Sequence, residues 1–219
     1  MKASKVMVAA SILSADFGRM SDDIAVMERN GADLVHCDVM DGIFVPNITF
    51  GFKMISDIKK RTSLPLDVHL MIDRPSRYVE KFIDSGADFL TVHYEAGEDP
   101  RFALEDIKKR GVKSGLAISP DTDTAAVEDY LDLCDLVLLM SVYPGFGGQK
   151  FIAKSLDRMK ELKKMCARCG RDILLSIDGG VNENNAADIV KAGADVLVAG
   201  NTLFSAENPG EIIAKFHNL

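Results

Sequence analysis

The sequence predicts an α/β protein folded as a single (β/α)8 barrel with a parallel eight-stranded core, and three observations carry that prediction. Eight short apolar runs are spread along 219 residues, and amphipathic helical patterns lie between them. A junction of the form x-Gly-Ala-Asp recurs at Asn30-Gly31-Ala32-Asp33, Ser85-Gly86-Ala87-Asp88 and Ala192-Gly193-Ala194-Asp195, each time between a helical pattern and an apolar run. Glycine stops a helix by taking the left-handed conformation, so each junction marks an αβ turn. Strands alternating with helices imply a parallel sheet. Eight units of about 27 residues each close that sheet into a barrel at the compact end of its usual size. A doubly wound open sheet is the rival, but no GxGxxG turn follows the first strand.

Taken in order, the first strand covers 6–13. The stretch 1–13 has two lysines and then an apolar run, the outline of a signal peptide, but the run is short and Ser11 interrupts it, so it reads as a strand. The helical pattern 20–29 leads to the second strand, 34–39; the third is 66–71. The pattern 76–84 leads to the fourth strand, 89–92, followed by strands at 113–118, 136–141 and 173–177. The pattern 186–191 leads to the eighth strand, 196–199, and a last helix, 209–216, closes the chain. Seven helical patterns are expected between strands, and one domain spanning 1–219 accommodates the whole.

Composition excludes several function classes. With 47% hydrophobic residues, a net charge of −7 and no run of Lys/Arg, the chain lacks the footprint of a nucleic-acid binder. No segment reaches the ~20 apolar residues of a membrane span. The four cysteines are Cys37, Cys134, Cys166 and Cys169. The last two have CxxC spacing, but within a Lys/Arg-rich helical stretch and without a second pair, which reads as two helix cysteines. Nothing calls for an oxidising compartment, and a cytoplasmic protein is expected.

Chemistry concentrates at the strand ends. Strand alternation sends His36, Asp38 and Met40 to one face, with Cys37 turned into the packing between strand and helix, and it sends Asp67, His69 and Met71 to one face of the third strand. The seventh strand delivers Asp178. Imidazole and carboxylate together suit a borderline divalent ion such as Zn, Fe, Mn or Co, and His36, Asp38, His69 and Asp178 supply the ligands for one. Barrel active sites lie at the carboxyl ends of the strands, where Ser11, His93 and Ser141 also fall. His93 has no evident partner and reads as a rim histidine; His217, near the C-terminus, reads as solvated. Glycines follow strands six, seven and eight: Tyr143-Pro144-Gly145-Phe146-Gly147-Gly148-Gln149, Asp178-Gly179-Gly180 and Gly200-Asn201. Such loops let backbone N–H groups approach an anion, although ordinary barrel turns use glycine too. The segment 43–50 is too apolar for a free loop and should fold over the site or pack on a second subunit, so a homo-oligomer is expected.

Ser11-Ile12-Leu13-Ser14-Ala15-Asp16, His36-Cys37-Asp38-Val39-Met40-Asp41-Gly42, Asp67-Val68-His69-Leu70-Met71, Pro144-Gly145-Phe146-Gly147-Gly148-Gln149 and Asp178-Gly179-Gly180-Val181 occur in this order. With that ordered set the sequence resembles the ribulose-phosphate 3-epimerase family from the first strand to the eighth. The resemblance implies a metal-dependent epimerase of a small ketose phosphate. D-ribulose 5-phosphate and D-xylulose 5-phosphate would interconvert in the pentose phosphate pathway through two-base 1,1-proton transfer and an enediolate. It implies one divalent metal on His36, Asp38, His69 and Asp178, with Asp38 and Asp178 as the acid/base pair. Ser11 and His69 would touch the sugar, and Met40, Met71 and Met140 would give a soft lining, although methionines there also fill core space. Gly145, Phe146, Gly147, Gly148, Gly179, Gly180, Gly200 and Asn201 would hold the phosphate. Two acids are needed because one base on one face returns the starting stereochemistry. Strands two and seven are expected on opposite sides of the ring, which would face the acids toward each other.

Three positions depart from the family pattern: Ala10 where proline is usual, Tyr143 before Pro144, and Gly200-Asn201-Thr202-Leu203 beside the inferred phosphate. The last leaves room for a related ketose phosphate such as allulose 6-phosphate. A barrel aldolase or decarboxylase fits less well, since strand six ends Leu139-Met140-Ser141 and Asp38-Val39-Met40-Asp41 holds no lysine. A non-catalytic phosphosugar-binding barrel would have no need of both aspartates, and both are present.

Overall fold

A computed structural model describes residues 5–219; residues 1–4, which open the stretch compared with a signal peptide, lie outside the described residues. Eight strands, β1 Met7–Ser11, β2 Leu34–Met40, β3 Leu66–Met71, β4 Phe89–His93, β5 Lys113–Ile118, β6 Leu136–Met140, β7 Leu174–Asp178 and β8 Val196–Ala199, form a closed barrel in chain order. Every neighbouring pair is parallel, and β1 pairs with β8 through Ala9 and Val198 to complete the ring. Around it run α1 Met20–Arg29, α2 Phe52–Lys59, α3 Val79–Asp84, α4 Arg101–Lys109, α5 Ser155–Cys169, α6 Ala186–Ala192, α7 Asn201–Phe204 and α8 Pro209–His217. The expected fold class is therefore the observed one.

Most boundaries shift by a residue or so, and three elements differ by more. β1 stops at Ser11 because Ile12–Ser14 turns into a 3-10 helix. The connection from β5 to β6 is the 3-10 helix Thr124–Tyr130 rather than an α-helix. Its buried residues, Thr124 and Val127, are three apart, which suits a three-residue turn better than a 3.6-residue one. The short α7, unexpected from the sequence, starts at the glycine loop after β8.

Two apolar layers hold the barrel. Outward-facing strand residues, including Val35, Cys37 and Val39 of β2, pack against the helices. Ala9, Leu34, Phe89, Ala117, Leu136, Leu138, Val196 and Val198 fill the interior. Because helices cover the outer face, the strands are buried on both sides and read as continuous apolar runs. Polar side chains from β2, β3, β4 and β7 replace apolar ones toward one end of the interior. β2 and β7 stand three places apart around the ring, separated by β1 and β8. They are therefore three eighths of a turn apart rather than the half turn expected from the sequence.

The recurrent junction does more than stop a helix. Gly31, Gly86 and Gly193 have positive φ, as expected. The following aspartates clamp the preceding strand: Asp33 accepts from Val8 N–H at 2.7 Å, Asp88 from Leu66 N–H at 2.7 Å and Asp195 from Leu175 N–H at 2.9 Å. Each aspartate also donates its own N–H to the carbonyl of the same residue. The repeat thus fixes strand register at the amino end of the barrel. His217 belongs to this device and is not solvated: its ring Nε2 lies 2.7 Å from Asp33 Oδ2 with only 13% of the side chain exposed, tying α8 to the turn before β2. Cys166 and Cys169 sit near the end of α5 as free thiols, the Cys169 thiol donating to the Cys166 carbonyl.

Candidate active site

The site is built by strand register. β2 and β3 pair so that His36 lies beside Asp67, Asp38 beside His69 and Met40 beside Met71; β1 brings Ser11 beside His36, and β6 brings Met140 beside Asp178. Alternation turns these side chains inward at the carboxyl end of the ring. His36, Asp38, His69 and Asp178 each offer a ligand atom, all within 4.8 Å of one another.

Supporting contacts set the orientation of each group. Asp67 Oδ2 lies 2.7 Å from His36 Nδ1, which leaves Nε2 facing Asp38 Oδ1 at 3.2 Å and Asp178 Oδ2 at 3.9 Å. His69 Nδ1 is 3.1 Å from Asp38 Oδ1. The Ser11 hydroxyl donates to Asp38 Oδ2 at 2.8 Å, and the Ser141 hydroxyl reaches the carbonyls of Asp178 and Gly179. Sequence reasoning placed Asp67 on the correct face without giving it work, and it assigned Ser11 only to the sugar. The period-two pattern that found His36 contained both signals.

Charge is distributed unequally. Burial would lower His36, but Asp38 and Asp67 outweigh it and raise the imidazole well above its usual value. Burial also opposes charge on Asp38, yet His36 and His69 hold that carboxyl well below the ordinary range. Burial and the Asp38 charge push Asp178 up to about 7. Burial, against the attraction of the Asp38 carboxylate, brings His69 down to about 4. Two neighbouring carboxyls driven apart in this way are suited to opposite proton-transfer roles.

The residues fit a divalent metal. His36 Nε2 is fully buried and makes no hydrogen bond, a loss of about 1–3 kcal/mol for an unsatisfied buried polar atom. It points at two carboxylates, and a cation at that point satisfies all three groups. Two imidazoles and two carboxylates form a donor set for a borderline ion.

Above the cluster lies a cavity of about 280 Å³, at the small end for ligand sites. Ser11, Asp38, Met40, Met71, Met140 and Asp178 line its floor. Gly145, Phe146, Gly147, Gly148, Gly179, Gly180, Gly200 and Asn201 line its other end, so every residue expected to face a phosphate borders the same space. Close packing already demands some of these glycines: a Cβ on Gly180 would lie 2.5 Å from Phe151 N, and one on Gly179 would lie 2.5 Å from Val142 Cγ2 at a φ of +120°. Gln149 donates to the carbonyls of Tyr143 and Phe146 and braces the loop, while Tyr143 turns outward to Asp121.

The apolar segment after β2 folds over this end. Val45 is buried against Met40 and Met71 with Phe44 beside it, and Asn47 donates to the Gly145 carbonyl at 2.8 Å. Thr49 Oγ1 donates to the Asp38 carbonyl and accepts from Met40 N–H, holding the segment to its own strand.

Comparison with known proteins identifies the family. The sequence profile of the ribulose-phosphate 3-epimerase family matches residues 7–204. The chain belongs to that family. It is 47% identical to the ribulose-phosphate 3-epimerase of Aquifex aeolicus (strain VF5) over 202 residues, covering 92% of this chain and 91% of the relative. It is 46% identical to that of Bacillus subtilis (strain 168) over 211 residues, covering 96% and 97%. Among solved structures, 3-keto-L-gulonate-6-phosphate decarboxylase from Vibrio cholerae superposes with a TM-score of 0.74, covering 98% of this chain and 96% of that one. At 16% identity this likeness speaks for the barrel alone. As a member of the ribulose-phosphate 3-epimerase family the protein is an enzyme of the isomerase class.

His93 is the one histidine of the site that the sequence left without a partner, and it has two. Its Nε2 lies 2.8 Å from His69 Nε2, and its Nδ1 lies 3.0 Å from Glu95 Oε2.

Proposed function

We propose that this epimerase interconverts D-ribulose 5-phosphate and D-xylulose 5-phosphate by moving a proton off one face of C3 and onto the other. The observation that carries the proposal is the pair Asp38 and Asp178, with carboxylate oxygens within 4.8 Å of each other on the wall of one cavity. In one direction Asp38 takes the C3 proton while Asp178 donates; in the other they exchange roles. Ser11 keeps Asp38 oriented through its hydroxyl and also faces the sugar, whereas His69, expected to touch the sugar, is fully buried and off the cavity lining and acts only through the cluster. Met40, Met71 and Met140 present a water-poor, polarisable surface to the flattened enediolate. Backbone N–H groups of Gly145, Phe146, Gly147, Gly148, Gly179, Gly180, Gly200 and Asn201 receive the phosphate. His36, Asp38, His69 and Asp178 would hold one divalent cation of the Zn, Fe, Mn or Co group, which when bound supplies Lewis-acid stabilisation of the negative charge developing on the sugar oxygens.

The substrate places the enzyme in the pentose phosphate pathway. A charged sugar phosphate does not diffuse across a bilayer, so the enzyme works where that sugar is made, in the cytoplasm. A side-by-side epimerisation assay tests substrate identity: ribulose 5-phosphate is expected to give the higher kcat/KM by at least about tenfold, roughly one missing or misplaced contact. Equal or faster turnover of allulose 6-phosphate would transfer the proposal to the six-carbon sugar.

A homo-oligomer is part of the same reading. Val45 is covered within the chain, but Ile43 and Ile48 of the same segment stay 77% and 75% exposed, an apolar edge that a second copy would cover. Light scattering at micromolar concentration should give a multiple of the chain mass, and a monodisperse monomer would contradict this.

A further inference from the structure

We propose that Glu95 and His93 form a positioning relay for His69: it fixes the tautomer in which the His69 Nδ1 lone pair faces Asp38 and the metal cluster. The inference rests on the metal-centre reading above and extends it to residues outside the ligand set. The relay is a continuous line of three side chains from two strand ends. Glu95 is anchored first, accepting from Ser119 N–H at 2.8 Å and from the Thr122 hydroxyl. Arg158 in turn holds the carbonyls of Ser119 and Thr122, so the loop that carries these donors is itself pinned from α5.

With those donors spent on it, the Glu95 carboxylate acts as an acceptor, and the proton between it and His93 belongs to His93 Nδ1. A neutral imidazole protonated on Nδ1 has its lone pair on Nε2. That lone pair lies 2.8 Å from His69 Nε2, so His69 Nε2–H donates and His69 Nδ1 is left unprotonated, 3.1 Å from Asp38 Oδ1. Without this partner the opposite His69 tautomer would place a proton where a cation needs electrons. His36 is set by the same logic from the other side: Asp67 takes Nδ1–H and frees Nε2. The two ligand histidines thus have separate orienting partners, a carboxylate directly for one and a carboxylate through a second imidazole for the other.

The relay is sealed. His69 and His93 are fully buried and stacked at 4.9 Å between centroids, and Phe44 covers His93 at 4.8 Å. Water is therefore kept from substituting for either partner.

The test uses zinc as the probe and reads binding rather than turnover. In zinc-loaded, 15N-histidine-labelled wild type, long-range 1H–15N correlation should show His69 protonated on Nε2 and His93 on Nδ1, with assignments from single-histidine variants. Glu95→Gln and His93→Asn should each weaken zinc binding, measured by competition with a chromophoric chelator, by about tenfold or more. Glu95→Gln is chosen for size and should keep the melting temperature within a few degrees of wild type. His69 protonated on Nδ1 in the zinc-loaded wild type would overturn the relay, as would wild-type zinc affinity in both variants. Wild type that binds no zinc, cobalt, manganese or iron would instead overturn the metal-centre reading on which the relay stands.

Discussion

Asp178→Asn is expected to lower epimerisation by about 10²–10⁴-fold, the usual contribution of a positioned acid or base, while substrate still binds. Asparagine preserves the shape of the cavity wall and can still offer an oxygen to a cation, but it neither accepts nor donates a proton at the pH of turnover. The KM should therefore move little while kcat collapses. Near wild-type kcat would remove Asp178 from the chemistry.

The same variant carries a stability signature with a definite sign in protein stripped of metal. Burial and Asp38 raise Asp178 to about 7, above the ordinary value of 3.8. Between those values the folded state holds the proton more tightly than the unfolded state does, so this group's contribution to stability is present at acidic pH and is lost as pH rises toward 7. The melting temperature of the Asn variant should thus exceed that of stripped wild type by an amount that grows from pH 5 to pH 7.5 and then levels off. A constant offset across that range would mean that Asp178 ionises normally. A residue that weakens the resting fold and carries the reaction is the usual compromise at an active site.

Removal of divalent metal is the second large effect. Chelation followed by dialysis should reduce turnover by more than about 100-fold, corresponding to the several kcal/mol that a Lewis acid contributes. Add-back of Zn, Mn, Co or ferrous iron to stripped protein should restore it, and the ranking identifies the preferred ion. The stripped protein should still bind the sugar phosphate weakly, since the glycine loops after β6, β7 and β8 depend on backbone geometry rather than on the cluster. Full activity after exhaustive chelation would mean that the unpaired His36 Nε2 has another purpose.

Sequence made the barrel legible because its strongest signals are local. Eight apolar runs and a repeated Gly-Ala-Asp are patterns of neighbours, and period-two alternation carries His36, Asp38 and His69 to one face without knowledge of the rest of the chain. The residues that share the site were found for that reason. What was missed depends on distances across the fold. The aspartates of the junction looked like turn residues, and only the barrel reveals that Asp33, Asp88 and Asp195 clamp the strand before them. His217 looked solvated because its partner, Asp33, is 184 residues away in sequence. His93 looked unpartnered for a different reason: Glu95 stands two residues on, on the same face, but its role emerges only when β3 sets His69 against His93. The opposed placing of β2 and β7 does not follow even from the expected ring: in an eight-membered barrel in chain order they stand three places apart through β8 and β1, one short of opposite.

The most direct test of the two-acid reaction follows solvent deuterium into C3 of the sugar in single variants. In D2O, Asp178→Asn should exchange the C3 proton of one epimer without interconverting the two, because Asp38 still serves its own face. Asp38→Asn should do the same for the other epimer. If both variants label the same epimer, or if either continues to interconvert the two at close to the wild-type rate, Asp38 and Asp178 do not act on opposite faces of one carbon.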